Sequence, residues 1–567
     1  MRTGFIVGFI LICLLGRAQT KMYPKGYFRN PLNIPMELVA NFGELRANHW
    51  HMGLDIRTQQ RENLPVHAAA EGFVSRIKIE PGGFGRAISI QHPNGYTTLY
   101  AHLNNFEPRL EQWVVEQQYR LSSWSVELTV PSNLFPVAKG DFIAYSGNTG
   151  GSQGPHVHFE IRDTKSEACL NPLLFGMPIV DGVPPTLLRL AMYDRSKSVY
   201  DQSPQLLAVK KVNGGYALAR SGLLKVGSNK ISFAIGAIDR FTGSGNGNGI
   251  YSSSISMDGV LQSQFILDDI SYDETRYLNA QIDYRYKYNG GAYVQHLSRM
   301  PGDFSQAYTR TASDGVLYLN DTFVHTVKIE IRDAAQNLST LQFSVQFDEK
   351  LYKPVISTAI TKFIPGNINI YEAPFFEAFA SEYAVYDTAK VTYTTAATIN
   401  EKAVSGIHTF LGPSIPIHDM LTVRVKPEIT VPANVKDKVV LFSTSGTRKA
   451  VQKAKWSGNW VWGLFRQFGT YQALIDDVPP TINAPGYGDT IDLRKATRIV
   501  FSPKDNLNEV ANFKATVDGQ WLRFTNDKGY SYIYRFDDKF TPGVHQLEVS
   551  IEDVAGNKIT KSWYVRR

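Results

Sequence analysis

The feature that most constrains the fold is the alternation, along almost the whole chain, of short apolar stretches with turn-forming residues. The stretches are rich in Val, Ile, Tyr, Phe and Thr, and Gly, Asn, Asp and Pro separate them, which is typical of β-strands joined by tight turns. Residues 86–92, Pro93-Asn94-Gly95 and residues 96–100 are one example, and we predict that they form a β-hairpin. The chain is therefore predicted to be mainly β.

Residues 109–119 are the clearest exception to this β pattern. Leu110, Val114 and Tyr119 recur there at roughly helical spacing among Glu and Gln, which predicts an α-helix. The helix belongs to an insert that spans about residues 107–135.

The length of 567 residues indicates several domains, because a single core stops growing at about 250–300 residues. The first 18 residues combine Arg2, an apolar run over residues 4–16 and a small residue at Ala18, which is the pattern of a secretory signal peptide. The run is shorter than the roughly 20 apolar residues that span a bilayer. We expect a secreted, periplasmic or cell-envelope protein whose mature chain begins near Gln19 and carries no transmembrane helix.

The cysteine content limits how the fold can be stabilised, and the charge limits which partners the protein can bind. Cys13 falls within the expected signal peptide, so Cys169 alone would remain and no internal disulfide could form. The formal net charge of +7 is mild for this length, and the absence of a concentrated basic run argues against nucleic acid as a partner. No feature of the sequence defines an oligomeric state.

Beyond residue 180 the sequence contains an internal repeat. Residues 181–186 resemble residues 476–481, each with an Asp, a diproline and a Thr. Each copy ends in an alternating strand pattern between a His and an Asp at identical spacing, followed by an Asn: His325, Asp333 and Asn337 in the first copy, and His545, Asp553 and Asn557 in the second. The first copy is about 75 residues longer between the diproline and the His. Both copies resemble bacterial immunoglobulin-like β-sandwich modules.

Two histidine-containing segments have the chemistry of a metal site. His156-Val157-His158 precedes an extended apolar pattern, and alternate residues of a strand share a face, so both imidazoles should lie on one side and Val157 in the core. An isolated pair of this kind could equally be two exposed strand histidines. His51 and Asp55 add an imidazole and a carboxylate, both of which Zn²⁺ accepts. A catalytic zinc site keeps three protein ligands, so one histidine of the pair would complete the site and the other would lie beside the open position.

Gly53 and His49 lie in and beside the first of these segments. Gly53 would allow an unusual turn or a close backbone approach between the ligands. His49 breaks the spacing to Asp55 and is expected to be a surface or supporting residue. No His-Glu-x-x-His motif is present, which excludes the metallopeptidase mechanism that uses a helix-borne glutamate.

These motifs and their order resemble the LytM/lysostaphin-like zinc metallopeptidases, which cleave peptide bonds in bacterial cell walls. The resemblance covers about residues 36–178. It rests on segments that occur in the family's order: residues 41–46, 65–72, 92–103, 136–141 and 147–160. The implied fold of this region is an antiparallel β-sheet peptidase domain, and the implied substrate is the peptide stems of peptidoglycan.

The resemblance also implies a role for each polar residue of the motifs. His51, Asp55 and His158 would hold one Zn²⁺ per chain. His102 and His156 would be the catalytic pair.

Two features would keep such a site latent or gated. The insert at about residues 107–135 departs from the minimal family pattern and could wall the substrate groove or act as a lid. An asparagine upstream of the first ligand could serve as a fourth metal ligand, and Asn30, Asn33 and Asn41 are the positions available.

The resulting expectation is a secreted zinc metalloendopeptidase that hydrolyses peptide cross-links of peptidoglycan. Its predicted organisation is a signal peptide (1–18), a peptidase domain (19–178), an immunoglobulin-like β domain with an insertion (179–348), a β-rich domain (349–477) and a C-terminal immunoglobulin-like β-sandwich (478–567). Two alternatives remain: a non-catalytic wall-binding scaffold that activates another hydrolase, and a peptidase that acts on glycine-rich proteins. The presence of all five expected polar residues favours an enzyme.

Overall fold

The structure is a computed structural model that describes residues 22–354, 361–398 and 400–567. The expected signal peptide, residues 1–18, lies outside the described residues. The prediction of a mainly β fold is confirmed, because most elements of the structure are β-strands that pair into sheets. Among the described residues, no helix is long and apolar enough to cross a bilayer.

The strands of the described residues fall into four consecutive units, and every strand except Asp269–Ile270 pairs within its own unit. The strands of the first unit are β1 (Leu38–Ala40), β2 (Leu45–Arg46), β3 (His49–Trp50), β4 (Leu54–Arg57), β5 (Pro65–His67), β6 (Gly72–Ile79), β7 (Arg86–Gln91), β8 (Tyr96–Ala101), β9 (Leu103–Phe106), β10 (Val126–Thr129), β11 (Pro136–Val137), β12 (Phe142–Ser146), β13 (His156–Asp163) and β14 (Cys169–Leu170), with helix α1 (Pro108–Leu121) and a 3₁₀ helix at Pro172–Phe175. The strands of the second unit are β15 (Thr186–Asp194), β16 (Gln205–Val212), β17 (Gly215–Leu218), β18 (Leu224–Val226), β19 (Lys230–Ile238), β20 (Ser252–Met257), β21 (Val260–Ile266), β22 (Asp269–Ile270), β23 (Gln295–His296), β24 (Tyr308–Thr309), β25 (Leu317–Tyr318), β26 (His325–Arg332) and β27 (Leu338–Phe347), with helices α2 (Leu278–Gln281) and α3 (Tyr284–Tyr288) and 3₁₀ helices at Val199–Asp201, Thr275–Tyr277 and Glu349–Leu351.

The third and fourth units are built from strands with little helix. The strands of the third unit are β28 (Lys362–Phe363), β29 (Asn369–Ala373), β30 (Phe376–Ala380), β31 (Ala389–Lys390), β32 (Tyr393–Ala396), β33 (Ile407–Phe410), β34 (Leu421–Val425), β35 (Val439–Ser445), β36 (Arg448–Lys453), β37 (Lys455–Ser457), β38 (Trp460–Phe465) and β39 (Gly469–Ile475), with a 3₁₀ helix at Ala433–Lys438. The strands of the fourth unit are β40 (Thr490–Asp492), β41 (Arg498–Phe501), β42 (Val510–Val517), β43 (Gln520–Trp521), β44 (Tyr532–Arg535), β45 (Val544–Asp553) and β46 (Lys558–Arg566).

The first unit is built on an antiparallel sheet with the strand order β1-β4-β13-β8-β7-β6-β10. The predicted hairpin is confirmed, since β7 and β8 pair around a turn in which Gly95 has a φ of 86°. The side chains of Val157, Phe159 and Ile161 on β13 are fully buried in the core. A smaller sheet, in the order β5-β12-β9, contributes to the same apolar core.

The register of β13 brings polar residues together at one end of the main sheet. His158 lies opposite Asp55 of β4 on one side and opposite Ala101 of β8 on the other. His102 follows directly after β8 and has a left-handed φ of 60° where the chain passes into β9. Residues far apart in the sequence therefore meet at the end of three adjacent strands.

The predicted helix is confirmed as α1, and the insert that contains it is integrated into the first unit. The Glu107 carboxylate accepts hydrogen bonds from the backbone N–H groups of Arg109 and Leu110 at 3.1 and 3.0 Å, which caps the helix. Leu110 and Val114 are buried in the core. The insert also supplies β10, which extends the main sheet beside β6.

The second unit packs directly against the first. β22 pairs with β14, and one buried apolar cluster runs through the first three units. The Asn41 side chain donates to the Gly249 carbonyl at 2.8 Å and accepts from the Gly249 N–H at 2.9 Å. A Cβ at position 249 would lie 2.6 Å from the Gly43 carbonyl oxygen, so this close contact requires glycine.

The two repeat copies lie in the second and fourth units. The hairpins β26–β27 and β45–β46 are both antiparallel. The third unit between them has two five-stranded sheets, in the orders β29-β30-β34-β38-β37 and β32-β33-β39-β35-β36. The fourth unit combines the five-stranded sheet β40-β46-β45-β42-β43 with the strand pair β41-β44 around its own apolar core.

Candidate metal centre

His51, Asp55 and His158 form a compact group at the end of the main sheet. His51 follows β3, Asp55 lies in β4, and His158 lies opposite Asp55 in β13. The Asp55 Oδ1 atom is 3.0 Å from His51 Nε2 and 2.9 Å from His158 Nδ1, and these two nitrogens are 3.0 Å apart. All three side chains are buried.

The outward hydrogen bonds of the two histidines leave their inward nitrogens available to a cation. His51 Nδ1 lies 2.7 Å from the Asn41 carbonyl oxygen, which can only accept, so this nitrogen carries the proton and Nε2 has a lone pair. His158 Nε2 donates to Glu160 Oε1 at 2.8 Å, so Nδ1 faces Asp55. Two imidazole nitrogens and a carboxylate in contact are the donor set that Zn²⁺ prefers, and acceptors on the far side of each ring are typical of metal-binding histidines. The residues present therefore fit a bound zinc ion.

His102 and His156 lie beside this group. Their ring centroids are 4.7 Å apart. His102 Nδ1 donates to the Thr149 carbonyl at 2.9 Å, and His156 Nδ1 donates to the Gly154 carbonyl at 2.8 Å. Each ring therefore has its Nδ1 committed to a backbone carbonyl, and its Nε2 is left for other partners. That of His156 is buried 3.4 Å from Asp55 Oδ1 and has no hydrogen-bond partner among the described residues.

Burial and charge set the protonation of the group. Burial lowers the pKa of His51 to about 4 and that of His102 to about 3, so both rings are neutral. Burial also opposes charge on His158, but hydrogen bonds to Asp55 and Glu160 outweigh it and raise the pKa of His158 to about 9. Burial would raise the pKa of Asp55 as well, but its contacts with His51, His156 and His158 hold the pKa well below its usual range. A metal-free centre therefore retains a proton between His158 and Asp55, and a bound cation would take its place.

Glu160, Arg162 and Tyr272 support the centre and were missed by sequence reasoning. Glu160 is fully buried and accepts from His158 Nε2, from Arg162 Nε at 2.6 Å and from the Tyr272 hydroxyl at 2.7 Å. Glu160 could have been found, because it lies two residues after His158 on a strand in which alternate residues share a face. Tyr272 comes from the second unit, just after β22, and no sequence signal connects it to the site.

The structure places the other predicted residues away from the three ligand atoms. His49 is exposed, and its ring bonds to the Ala47 carbonyl. The Asn41 amide is occupied by the backbone of residue 249. Asn30 and Asn33 bond to groups of the 29–34 segment and to His67. The structure therefore brings none of these asparagine side chains to the centre as a fourth ligand.

A groove with a volume of about 170 Å³ lies beside the centre on the face of the main sheet. Phe84, Arg162 and Tyr272 are among the residues that line it. The ring centroid of Phe84 lies 5.7 Å from that of His158, so the groove and the metal centre are neighbours. Helix α1 is not among the lining residues.

Two regions of the chain match known families. Residues 49–119 match the sequence profile of peptidase family M23, and residues 361–476 match that of a Zu5-like domain. The first match includes His51, Asp55 and His102 and ends before His156. The second match falls in the third unit, for which the sequence predicted only a β-rich domain. The immunoglobulin-like interpretation of the second and fourth units stays a prediction.

The names of two curated relatives agree with the first of these matches. The chain is 30% identical over 160 residues to an uncharacterized metalloprotease of Haemophilus influenzae, with 27% of this chain and 28% of the relative covered. It is 32% identical over 128 residues to the DD-carboxypeptidase/endopeptidase Mpg of Neisseria meningitidis serogroup B, with 23% of each chain covered. The catalytic domain of lysostaphin from Staphylococcus simulans is 23% identical in its solved structure, with 24% of this chain and 87% of that domain covered and a TM-score of 0.17. The chain thus spans about a quarter of the length of the curated relatives it matches. Residues 49–119 are therefore similar to peptidases of family M23.

Proposed function

We propose that this chain is a secreted zinc metalloendopeptidase of the cell envelope that hydrolyses peptide cross-links of peptidoglycan. The observation that carries the proposal is that four imidazoles around Asp55 each donate outward to a fixed acceptor, which leaves the other nitrogen free to bind a cation or accept a proton. In this proposal His51, Asp55 and His158 hold one Zn²⁺ per chain, and His102 and His156 are catalytic. The M23 match and the name of the Neisseria relative, a DD-carboxypeptidase/endopeptidase, support cleavage of peptide bonds in the wall.

A Zn²⁺ held by the three ligands supplies Lewis-acid activation of a water molecule and of the scissile carbonyl at neutral pH. His102 and His156 carry out the proton transfers. The Nδ1–H of each ring is committed to a backbone carbonyl, so the Nε2 of a neutral ring can accept the proton of the attacking water. The protonated Nε2 can then donate to the tetrahedral oxyanion or to the leaving amine. Burial lowers the pKa of His102, so its ring is neutral before the reaction.

The groove on the face of the main sheet is proposed to hold the peptide. It offers the Phe84 and Tyr272 rings as apolar surface and the Arg162 guanidinium, which lies 5.0 Å from the Tyr272 ring, as a positive charge. A substrate backbone in this groove would approach the metal centre past the Phe84 ring. The predicted role of the 107–135 insert as a lid stays a proposal. In the structure the insert contributes a strand and a buried helix face to the first unit.

The remaining organisation is part of the same proposal. A signal peptide (1–18) would direct export, and the mature chain would comprise a peptidase domain (19–178), a β domain with an insertion (179–348), a β-rich domain (349–477) and a C-terminal β-sandwich (478–567). The second and fourth of these units would be immunoglobulin-like modules that orient the peptidase on the wall. Their repeated hairpins support this interpretation.

Digestion of purified sacculi by the mature protein tests the function. We expect release of peptide fragments whose masses identify the cleaved bond, and a chelator should abolish that release. A protein that binds zinc and the wall but releases no fragment would instead be a non-catalytic scaffold. Cleavage of an elastin-like peptide in a parallel reaction, with intact sacculi, would identify glycine-rich proteins as the substrate.

A further inference from the structure

We infer that each repeat copy holds a Ca²⁺ ion, bound by carboxylates where the chain enters the unit. Three aspartates converge in each copy: Asp181, Asp239 and Asp333 in the second unit, and Asp476, Asp505 and Asp553 in the fourth. In each group the carboxylate oxygens lie within 4.8 Å of one another. Oxygens that ligate one Ca²⁺ at about 2.3–2.6 Å lie no more than about 5 Å apart, so each group has the dimensions of a calcium site.

In the second unit a single asparagine links the backbone of Asp181 to the carboxylate of Asp333. The Asn337 side-chain amide donates to the Asp181 carbonyl oxygen at 3.3 Å and to Asp333 Oδ2 at 2.8 Å. The Val183 N–H donates to Asp181 Oδ1 at 3.1 Å. These bonds fix two of the three carboxylates and the backbone of the segment that enters the unit.

The fourth unit repeats this arrangement bond for bond. The Asn557 side-chain amide donates to the Asp476 carbonyl oxygen and to Asp553 Oδ2, both at 2.8 Å. The Val478 N–H donates to Asp476 Oδ1 at 3.4 Å. Both copies therefore have the same hydrogen bonds around the first and the last of their three aspartates.

The third carboxylate in each copy has a buried oxygen without a donor. Asp239 is only 2% exposed, and its Oδ1 has no hydrogen-bond partner among the described residues. Asp505 Oδ1 is likewise buried and unpartnered. The side-chain oxygen of Asn248, whose backbone pairs with that of Asp239, is also buried without a partner. A buried oxygen without a donor is costly, and a cation between the carboxylates would supply the missing partner.

The type of donor indicates which cation would bind. The donors are carboxylate and amide oxygens without histidine or thiolate, which selects a hard cation over Zn²⁺. Ca²⁺ accepts the irregular arrangement of oxygens from three separate segments more readily than Mg²⁺, which demands an octahedron.

The position of the sites gives the ions a structural role. Asp181 lies between the last elements of the first unit and β15, and Asp476 follows directly after β39. The other ligands of each site belong to the unit that the chain then enters. A bound ion would therefore tie each connecting segment to its unit and reduce the freedom between successive units.

Calcium binding to the full mature chain tests the inference. Equilibrium dialysis against radioactive Ca²⁺ in chelator-treated buffer should give about two ions per chain at about 1 mM free Ca²⁺, a concentration typical of extracellular calcium modules. Asp239→Asn and Asp505→Asn should each bind one ion, and the double variant none. Asp538→Asn, which alters a side chain that is 85% exposed, is the control and should bind two. Absence of binding by the wild type, or binding of Mg²⁺ in its place, would overturn the inference.

Thermal unfolding shows whether Asp239 acts as a calcium ligand or only stabilises the fold. Without Ca²⁺, Asp239→Asn should unfold at the same temperature as the wild type or higher, because the substitution removes charge repulsion. With Ca²⁺, the wild type should gain more thermal stability than the variant. A variant that unfolds at lower temperature in calcium-free buffer, together with no stabilisation of the wild type by Ca²⁺, would contradict the inference.

Discussion

Glu160 is the residue on which the orientation of His158 depends. Burial would raise the pKa of Glu160, but the charge of Arg162 and the hydrogen bonds from His158 and Tyr272 lower it to about 2. The carboxylate is therefore charged over the whole working range of an enzyme. A charged acceptor fixes the proton of His158 on Nε2 and directs Nδ1 to the centre.

Glu160→Gln should weaken zinc binding by about 10-fold or more, because a neutral amide oxygen is a poorer acceptor for His158. The Kd for zinc, measured by competition with a chromophoric chelator, should rise by this factor. Glu167→Gln is the control, since Glu167 has a 55% exposed side chain that pairs with Arg76. Equal zinc affinities in wild type and Glu160→Gln would contradict the role of Glu160.

At the residue scale, the sequence predicted the metal-binding group better than the residues that support it. His51, Asp55 and His158 lie in contact, as the family resemblance implies, whereas the spacing of the motifs left open which histidine of the 156/158 pair would join them. Tyr272 could not be predicted, because its position depends on the pairing of β22 with β14, two strands of two residues each without a distinctive pattern. The supporting hydrogen bonds therefore emerge only from tertiary contacts.

At the scale of elements, the segment between the first two ligands passes very close to β13. A Cβ on Gly53 would lie 2.5 Å from the Phe159 carbonyl oxygen and 3.0 Å from His158 Cε1. The φ angle of Gly53 is not positive, so the position requires the small size of glycine and not its freedom to form a left-handed turn. The sequence suggested either an unusual turn or a close backbone approach at Gly53, and the structure supports the close approach.

Gly53→Ala should displace the ligand segment from β13 and lower both zinc content and activity. The cost of such overpacking is about 1–3 kcal/mol, and thermal unfolding together with metal analysis should detect it. Gly154→Ala is a matched control near the same site, because a Cβ there meets nothing within 4 Å. Full zinc content in Gly53→Ala at wild-type stability would show that the close approach does not matter.

Elements that have a local sequence pattern could be predicted, whereas the pairing of distant strands within a sheet could not. The β7–β8 hairpin and helix α1 follow from turn residues and helical spacing. The pairing of β10 with β6 joins segments nearly 50 residues apart, and nothing in either segment specifies the other. The sequence therefore predicts the insert as a helix but not as part of the main sheet.

At the scale of the whole molecule, the fourth unit contacts the loop that leads to His156. The Lys528 ammonium donates to the Gly150 and Ser152 carbonyls at 3.0 and 2.9 Å. Nearby, the Gly82 N–H donates to the carbonyl of residue 527 at 3.1 Å. The end of the chain therefore supports the loop that positions a proposed catalytic histidine.

Lys528→Ala should lower kcat by about 10-fold, the effect of losing charged hydrogen bonds at a partly exposed site. The zinc content should not change, because Lys528 touches no proposed ligand. Steady-state kinetics on a soluble wall fragment, with Lys558→Ala as an exposed control, measure this effect. An unchanged kcat, or loss of zinc, would show that the contact does not act through the loop.

The order of the units could be predicted, but their contacts could not. The repeated Asp-x-x-Pro-Pro-Thr segments marked where the second and fourth units begin. The contact between Lys528 and Gly150 joins residues almost 400 positions apart through exposed polar groups, and such groups have no periodic pattern. The return of the fourth unit to the first unit is therefore visible only in the structure.

The central claim is the division of five polar residues into three metal ligands and two catalytic imidazoles. Zinc content per chain, measured by mass spectrometry on purified variants, tests it most directly. The wild type, His102→Ala and His156→Ala should each contain about one zinc ion, whereas His51→Ala and His158→Ala should contain none. Zinc retained by His51→Ala, or lost from both His102→Ala and His156→Ala, would contradict the account.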